Sequence, residues 1–340
     1  DGRLVPVDAL PAATVWPIPR RGLDRLRPWR TVSAGEQFLR SCQRPKDAAR
    51  LPWLRARVAA GAFDRVHVHF AGEAAELAHA LWLDLQVPYT VTVHAVDLFR
   101  PRPSLATVLR HAEAVITISE HHRRYLADRG LPAHVVRCGP ELRRWASLPP
   151  PPPGPVRALL VARDVPKKGI DTLLSAWPPG DAHAHLHLIS DHRGPLPERC
   201  TRAPLAPPVV VQQAMAACNV VVLPCRIAED GDRDGVPMVL MEAVAAGRPV
   251  LSCPVAGVPE LVCPPGVAPC GWLVPSDDPL ALRRAFDAMT PAARAAHSPG
   301  PPHLQQLGFS LDAQANGLLQ VWHSAGAVAL SVKRRELSPH

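Results

Sequence analysis

Long apolar runs are absent from this sequence. No stretch approaches the roughly 20 apolar residues that a membrane-spanning helix needs, and the first residues lack a secretory signal-peptide pattern. The eight cysteines form no C-x-x-C pair and no zinc-ligand spacing, which predicts reduced thiols. No G-x-S-x-G nucleophile turn occurs. These absences exclude the membrane-spanning, disulfide-scaffold and serine-hydrolase classes and favour a cytoplasmic protein.

The composition fits two soluble domains, with 340 residues, 47% hydrophobic and 20% charged. The formal net charge is +8, and residues 1–60 hold twelve Lys or Arg against five acids. Basic and apolar side chains are interleaved over residues 16–30, as in surfaces for anionic lipid head groups on the inner face of a membrane or for a lipid-phosphate acceptor. A solvated basic face explains the same pattern and is the preferred interpretation. No nucleic-acid motif accompanies the charge, so no nucleic-acid partner is expected.

A proline run divides the chain. Pro149 to Pro153, followed by Gly154 and Pro155, can neither continue a helix nor pair in a sheet, so this segment predicts a stiff linker over 149–155. The predicted organisation is a first domain over 1–148, a second over 156–325 and a basic tail over 326–340.

Strand and helix signals alternate on both sides of the linker. The pattern predicts two Rossmann-like, doubly wound parallel sheets that face a central cleft, an α/β architecture. The signals in the first half cover 65–69, 72–85, 89–93, 114–118 and 119–128, and those in the second half cover 156–161, 169–177, 183–189, 220–224 and 249–252.

The segment from Asp234 to Val250, DGVPMVLMEAVAAGRPV, places two carboxylates eight positions apart around a loop-to-helix junction. Gly235 allows close approach of a ligand, and Pro237 suits the first turn of a helix. The helix start would face an anion, while Asp234 and Glu242 could accept hydrogen bonds from sugar hydroxyls. An ordinary packed helix is the alternative interpretation.

A second motif, VARDVPKKG at 161–169, brings Arg163 and Lys168 into one loop after a strand. Two fixed cations there could neutralise a diphosphate as its bond to a sugar breaks. A solvated basic turn is the alternative. In the first half, VTVHAVDLF at 91–99 places His94 and Asp97 just after a strand, where His94 could donate a hydrogen bond to a sugar.

Three histidines, at 183, 185 and 187, alternate along one strand and could in principle chelate a metal. They lack a nearby carboxylate or a fourth ligand in the sequence. We therefore expect packing rather than a metal site.

Together these segments resemble the retaining glycosyltransferases of the family 4 type (glycosyl transferases group 1), which have the GT-B fold. The first segment is similar to the family's E-x7-E signature, with Asp234 in place of the first Glu, and VARDVPKKG is similar to GRxxxxKG. AGVPELV at 256–262 resembles GGxPE, HAVD at 94–97 resembles H-x-x-D, and CGPELRRW at 138–145 resembles NGVDxxxF.

The resemblance implies a metal-independent hexosyltransferase without a cofactor. It would move a sugar from a nucleotide-diphosphate sugar to a glycan or lipid-linked acceptor in cell-surface polysaccharide synthesis. Implied catalytic residues are His94, Arg163, Lys168, Asp234 and Glu242. Donor contacts would add Gly235, Val236 and Pro237, and the cleft would be bordered by Asp97, Gly139 and Glu260.

Two alternatives stay open. One is a catalytically weak GT-B-like protein that binds a nucleotide sugar or a partner; the other is an inverting transferase or epimerase of similar fold. The family usually begins with a strand and a glycine-rich loop that do not precede Val66 here, so we expect an incomplete N-terminus or a reduced first domain. Residues 190–219 are Pro-rich where the family has a further glycine turn and strand, which leaves the base pocket unassigned.

Overall fold

A computed structural model describes residues 32–61, 63, 65–177, 180 and 182–336, with side-chain environments as far as residue 325. The chain divides into residues 1–33 and 34–340. Of the first unit only Val32 and Ser33 are described, so the architecture below belongs to the second unit. The basic stretch 16–30 and the side chains of the predicted tail 326–340 lie outside the described residues.

The first sheet has four parallel strands in the order β1-β2-β3-β4. Its β-branched strands β2 and β3 are buried along their whole length, as the interior strands of a sheet covered on both faces should be. We call the part of the molecule built on this sheet the first lobe. The strands are β1 (Val66–His69), β2 (Tyr89–Val93), β3 (Ala114–Thr117) and β4 (His134–Val135).

The second sheet has six parallel strands in the order β10-β9-β8-β5-β6-β7. Counted along the chain from β5, this is the order 3-2-1-4-5-6 of doubly wound nucleotide-binding sheets, whose crevice lies between strands 1 and 4. That crevice falls between β5 and β8. The strands of this second lobe are β5 (Arg157–Val161), β6 (His185–Ile189), β7 (Cys200–Ala203), β8 (Val220–Leu223), β9 (Val250–Ser252) and β10 (Gly271–Leu273).

Helices connect the strands and cover both sheets, several of them starting at a side-chain cap such as Ser119 or Asp278 or with Pro in the first turn. They are α1 (Ala34–Ser41), α2 (Pro45–Ala60), α3 (Glu73–Leu85), α4 (Ala95–Phe99), α5 (Leu105–His111), α6 (Glu120–Ala127), α7 (Leu142–Ala146), α8 (Ile170–Ala176), α9 (Pro208–Ala217), α10 (Met238–Ala245), α11 (Val258–Val262), α12 (Pro279–Asp287), α13 (Pro291–Ala296), α14 (Pro301–Leu307) and α15 (Leu311–Glu336).

Two helices cross between the lobes. Trp145 of α7 packs in the core of the second lobe, although the sequence analysis assigned residues up to 148 to the first domain. Val321 of α15 packs on Ile116 and Val136 of the first lobe. The predicted end of the second domain, at residue 325, therefore falls within a helix that packs on the first lobe. Both helices cross because an apolar side chain of each, Trp145 or Val321, packs into the core of the other lobe.

The predicted two-sheet α/β architecture is confirmed. The main difference concerns residues 190–219, where a further strand was not expected but β7 forms and pairs with β6 before α9 begins. All eight cysteines are free; four are buried and Cys263 is exposed. Among the described helices, none combines the length and apolarity that crossing a bilayer requires.

One buried cation organises the end of α10. Arg248 is 1% exposed and donates to the carbonyls of Met215 at 3.0 Å and Ala216 at 3.2 Å, and also to that of Ala246. A buried guanidinium that satisfies three carbonyls joins α9, α10 and β9 into one unit.

We expect Arg248→Met to lower the free energy of unfolding by about 3 kcal/mol, because three buried carbonyls lose their donor. Urea unfolding followed by circular dichroism measures the change. Arg110→Met, at an exposed position of α5, is the matched control and should stay within about 0.5 kcal/mol of the parent. Equal destabilisation by both variants would contradict the role of Arg248.

Candidate functional site

Two loops meet at the crevice between β5 and β8. The first follows β5, makes a 3-10 turn over Pro166–Lys168 and reaches Gly169, whose φ of 62° is in the left-handed region. A Cβ on Gly169 would lie 2.1 Å from the carbonyl oxygen of Pro224, which ends β8. Only glycine therefore lets the two loops pack backbone against backbone at this point.

Lys168 and Asp234 bridge these two loops. The Lys168 Nζ donates to Asp234 Oδ2 at 2.6 Å, and both side chains are largely buried. Lys167 Nζ lies 3.6 Å from the other Asp234 oxygen and 3.0 Å from Asp232 Oδ1. The sequence analysis assigned Lys168 to a diphosphate and Asp234 to a sugar. The structure joins them in one ion-pair network and adds Lys167 and Asp232.

Glu242 lies one turn inside α10, half-buried. Within the described part of the chain its carboxylate has no hydrogen-bond or ion-pair partner. Burial raises the pKa of Glu242, and the nearby Arg144 of α7 lowers it to a smaller extent. A partly desolvated carboxylate with free acceptor oxygens is suited to accept hydrogen bonds from neighbouring hydroxyl groups of a ligand.

The remaining second-lobe candidates lie in the loop before α10 and in the loop after β5. Val236 and Pro237 are buried at the start of α10, for which Pro237 is the N-cap residue and provides no side-chain cap. The first backbone N–H groups of the helix are therefore available to a ligand. Arg163 is exposed beside the crevice, and no described residue pairs with it. A mobile, unpaired guanidinium can turn toward an anion at little cost.

His94 is the first-lobe candidate, and it caps α4. The Asp97 carboxylate accepts the His94 N–H at 2.8 Å, and the Asp97 N–H donates to the His94 carbonyl at 3.1 Å. His94 Nε2 lies 3.5 Å from His69 Nδ1. Burial lowers the pKa of His94 to about 4, with a smaller contribution from His69. His94 is therefore a neutral hydrogen-bond donor at neutral pH.

Two further residues fix the His94 ring. Phe70, with φ of 70°, stacks on it at 4.3 Å between ring centroids, and His69 faces its Nε2. The sequence analysis found neither residue. His69 ends β1 and Phe70 directly follows it. Their position at the carboxyl end of a parallel strand was the signal that could have identified them. Asp97 was found, but as a buried cap of α4 rather than as a group facing the cleft.

The lobes meet where the loop before α10 reaches the first lobe. A Cβ on Gly235 would lie 2.9 Å from His122 Cε1 and 3.0 Å from Ile118 Cδ1. The Arg233 guanidinium sits 4.2 Å over the Phe99 ring. Position 235 must therefore be glycine because His122 and Ile118 of the first lobe lie so close to it, and not only to let a ligand approach. This contact between the lobes was not predicted from the sequence.

Glu260, in the first turn of α11, holds the same junction. Its carboxylate accepts the backbone N–H groups of Glu120 at 3.0 Å and His121 at 2.8 Å, at the start of α6, and pairs with Arg137 at 2.9 Å. Carboxylates are favoured at helix N-termini. The structure therefore places Glu260 in a contact between the lobes rather than free in the cleft.

Gly139 is also accounted for by packing. A Cβ there would lie 2.2 Å from the backbone of Phe309, so glycine allows the segment before α15 to lie against the end of the first lobe.

At the predicted strand of three histidines, His187 Nδ1 bonds Thr201 Oγ1 at 2.8 Å. Across the residues that the structure describes, no group of three His, Cys, Asp or Glu is arranged to hold a metal ion.

Two family models match the chain. The model described as Glycosyl transferases group 1 matches residues 155–290, and that described as Glycosyltransferase Family 4 matches residues 14–144. Together they cover both lobes.

Curated relatives carry related descriptions. The amylovoran biosynthesis glycosyltransferase AmsK of Erwinia amylovora is 29% identical over 243 residues, which are 64% of this chain and 58% of AmsK. The putative colanic acid biosynthesis glycosyltransferase WcaL of Escherichia coli is 28% identical over 208 residues, 55% of this chain and 50% of WcaL. The chain thus spans between half and three fifths of the length of these relatives.

Solved structures share the fold. Sucrose-phosphate synthase of Thermosynechococcus elongatus superposes with a TM-score of 0.68 at 21% identity, over 89% of this chain and 82% of the other. HepE of Anabaena, solved in complex with UDP, superposes with a TM-score of 0.65 at 17% identity, over 82% and 83%. At these identities the likeness confirms the two-lobed fold alone.

Four histidines in the first lobe predict a pH-dependent stability. Burial lowers the pKa of His67, His79, His94 and His122 to about 4 from an ordinary value of 6.5. Between pH 6.5 and 4 the unfolded chain therefore binds protons that the folded chain does not, so stability falls as the pH falls. We expect Tm, measured by calorimetry, to decrease by roughly 5 °C from pH 7.5 to 5.5.

His79→Gln should reduce this pH dependence, because it removes one buried imidazole. His134→Gln is the matched control, since His134 is exposed on β4 of the same lobe. A Tm that is equal at both pH values in the parent protein would refute the expectation.

Proposed function

Because the chain belongs to the family 4 type of GT-B glycosyltransferases, we propose that it transfers a sugar from a nucleotide-diphosphate donor to a glycan or lipid-linked acceptor. The observation that carries the proposal is the Lys168–Asp234 ion pair at the crevice of the second sheet, followed along the chain by the unpartnered, half-buried Glu242 of α10. Two lysines that can bind an anion and a carboxylate that can accept from hydroxyls match the two halves of a nucleotide sugar, diphosphate and ribose.

In this proposal the donor diphosphate binds Lys168, which leaves its ion pair with Asp234, and it also binds Arg163. Asp234 then keeps a cation, because Lys167 already lies 3.6 Å from its second oxygen. Glu242 accepts hydrogen bonds from ribose hydroxyls. Asp234 and the peptide groups of Gly235, Val236 and Pro237 contact the sugar, with the α10 N-terminus favouring the negative diphosphate.

The transfer we propose is retaining and needs no metal or cofactor. The bond between the sugar C1 and the leaving phosphate oxygen breaks, and the acceptor oxygen bonds C1 on the same face. The acceptor proton passes to the leaving phosphate oxygen. Arg163 and Lys168 stabilise the negative charge that develops there, and the neutral His94 donates its ring N–H in a hydrogen bond to a sugar hydroxyl.

The acceptor would enter from the first lobe. A cavity of about 450 Å³ there is lined by polar side chains that include Gln43, Glu76, Arg102 and Ser104. Arg102 also acts electrostatically on Asp97 of the α4 cap. Mixed carboxylate, guanidinium, amide and hydroxyl groups suit a glycan. By analogy with the relatives, we propose a role in cell-surface polysaccharide synthesis.

The test measures nucleotide release from UDP-, GDP- and ADP-sugars. We expect Lys168→Ala to lower kcat about 100-fold, because the leaving group loses a cation. Glu242→Ala should raise the donor KM about tenfold, because ribose hydroxyls lose their acceptor. Lys46→Ala and Glu198→Ala, both at exposed positions, are the matched controls. Equal release by the parent protein, both site variants and both controls would refute the proposal, and tight nucleotide binding without turnover would favour a binding protein.

The retaining course has its own measurement. With a donor of α configuration, NMR should detect the α anomer of the sugar first, before mutarotation, because attack occurs on the face that the diphosphate leaves. Initial release of the β anomer would contradict the retaining proposal and leave glycosyl transfer itself intact.

A further inference from the structure

His122 has an environment that the proposed chemistry does not explain. Its side chain is fully buried, and both ring nitrogens lack a hydrogen-bond partner. Of the side chains that the structure describes, His122 alone has two buried polar atoms in this condition. A buried polar group without a partner costs about 1–3 kcal/mol, so its retention in a well-packed position requires a reason.

The polar edge of this imidazole faces the donor loop, which we define as residues 234–237. A Cβ placed on Gly235 would lie 2.9 Å from His122 Cε1 and 3.4 Å from Nε2. The backbone of the loop thus rests on the Cε1–Nε2 edge of a ring that belongs to the first lobe. His122 itself is fixed by the start of α6, where its backbone N–H donates to Ser119 Oγ at 3.2 Å.

A second set of contacts holds the two parts in register. The Gly257 N–H donates to the Gly235 carbonyl at 3.2 Å, and a Cβ on Gly257 would lie 3.0 Å from Ser119 Cβ. Glu260 accepts two N–H groups at the start of α6. The donor loop, the loop before α11 and the first turn of α6 therefore form one continuous junction.

The charges around His122 favour its neutral form. Arg233 lies over the Phe99 ring, which faces His122 at 5.6 Å between centroids, and His94 and His121 act on it electrostatically. With positive or neutral groups on these sides and no described carboxylate bonded to it, an imidazolium is disfavoured. A neutral imidazole has one N–H to donate and one nitrogen that accepts.

We propose that His122 is a positioning residue of the donor site. Its ring forms the surface on which the Gly235 peptide rests, and its Nε2–H is donated to the donor loop when the loop closes on a nucleotide sugar. The affinity for the donor then depends on a side chain of the lobe that receives the acceptor. This inference rests on the proposed function, because it assumes that residues 234–237 contact the donor.

A double-mutant cycle tests the contact. Affinity for UDP, GDP and ADP is measured by titration calorimetry, and the tightest of the three is used for all variants. We expect Gly235→Ala to weaken binding about 20-fold, because the methyl group meets the ring, and His122→Ala to weaken it about fivefold. The double variant should resemble His122→Ala, because the smaller side chain makes room for the methyl group.

His121→Ala is the matched control, since it alters the neighbouring histidine on the same turn, whereas His122 and Ile118 provide the side-chain atoms nearest to a Cβ at Gly235. It should show no coupling to Gly235→Ala. Multiplicative effects of His122→Ala and Gly235→Ala would overturn the proposal, as would coupling of equal size to His121→Ala.

Two substitutions separate the hydrogen bond from packing. His122→Gln keeps an N–H near the position of Nε2 and should bind within about threefold of the parent, whereas His122→Leu keeps bulk without a donor and should bind about tenfold more weakly. Equal affinities of these variants would overturn the hydrogen-bond role. Tm is recorded for each, so that a loss of affinity in a variant with parental Tm cannot come from unfolding.

The outcome also separates this inference from the proposed function. If the parent protein binds none of the three nucleotides, the proposed function fails and the positioning role fails with it. If the parent binds but the cycle is multiplicative, only the role of His122 is overturned.

Discussion

The close approach of Gly169 to Pro224 is the constraint on which the second lobe's site depends. Strands β5 and β8 are neighbours in the sheet, yet the chain leaves them toward α8 and α10 as separate units. Because no Cβ intervenes at Gly169, the two loops touch through their backbones. That contact brings Lys168 within 2.6 Å of Asp234 across 66 residues of sequence. A side chain at 169 would separate the cations from the carboxylates.

Close backbone approach at glycine also determines the contact between the lobes. Gly235 and Gly257 both lie where a Cβ would strike the first turn of α6 or the strand before it. Glu260 then ties this turn to the second lobe through two backbone N–H groups and Arg137. The loop before α10 and the start of α11 thus converge on residues 118–122 and Arg137 of the first lobe. A ligand between the lobes is therefore bounded by a junction made mostly of backbone, which is stiffer than one made of long side chains.

The sequence predicted the interior strands of both sheets but not the partners of the site residues. Buried β-branched runs such as VVVL predicted the interior strands within one or two residues, because such runs are suited to little else than a covered parallel sheet. The strand at Cys200–Ala203 was missed, since its residues are mostly polar or exposed. Lys167, His69 and His122 were missed for another reason: their roles arise from contacts over long sequence separations, which local patterns do not encode. Glu260 and Gly139 were found as motif residues, but the structure places both in packing contacts.

The ion-pair network gives a physical reason for Asp at 234, where the resembled E-x7-E signature has Glu. The shorter side chain holds its carboxylate close to the loop, where one oxygen binds Lys168 and the other faces Lys167. A bound diphosphate would compete for Lys168, and removing that lysine from an isolated buried carboxylate would be costly. Lys167 offsets this cost, because it already lies near Asp234 and Asp232. Under the proposed function, two adjacent lysines would allow one cation to move to the donor while the other keeps the acid paired, which a single lysine at 168 could not do.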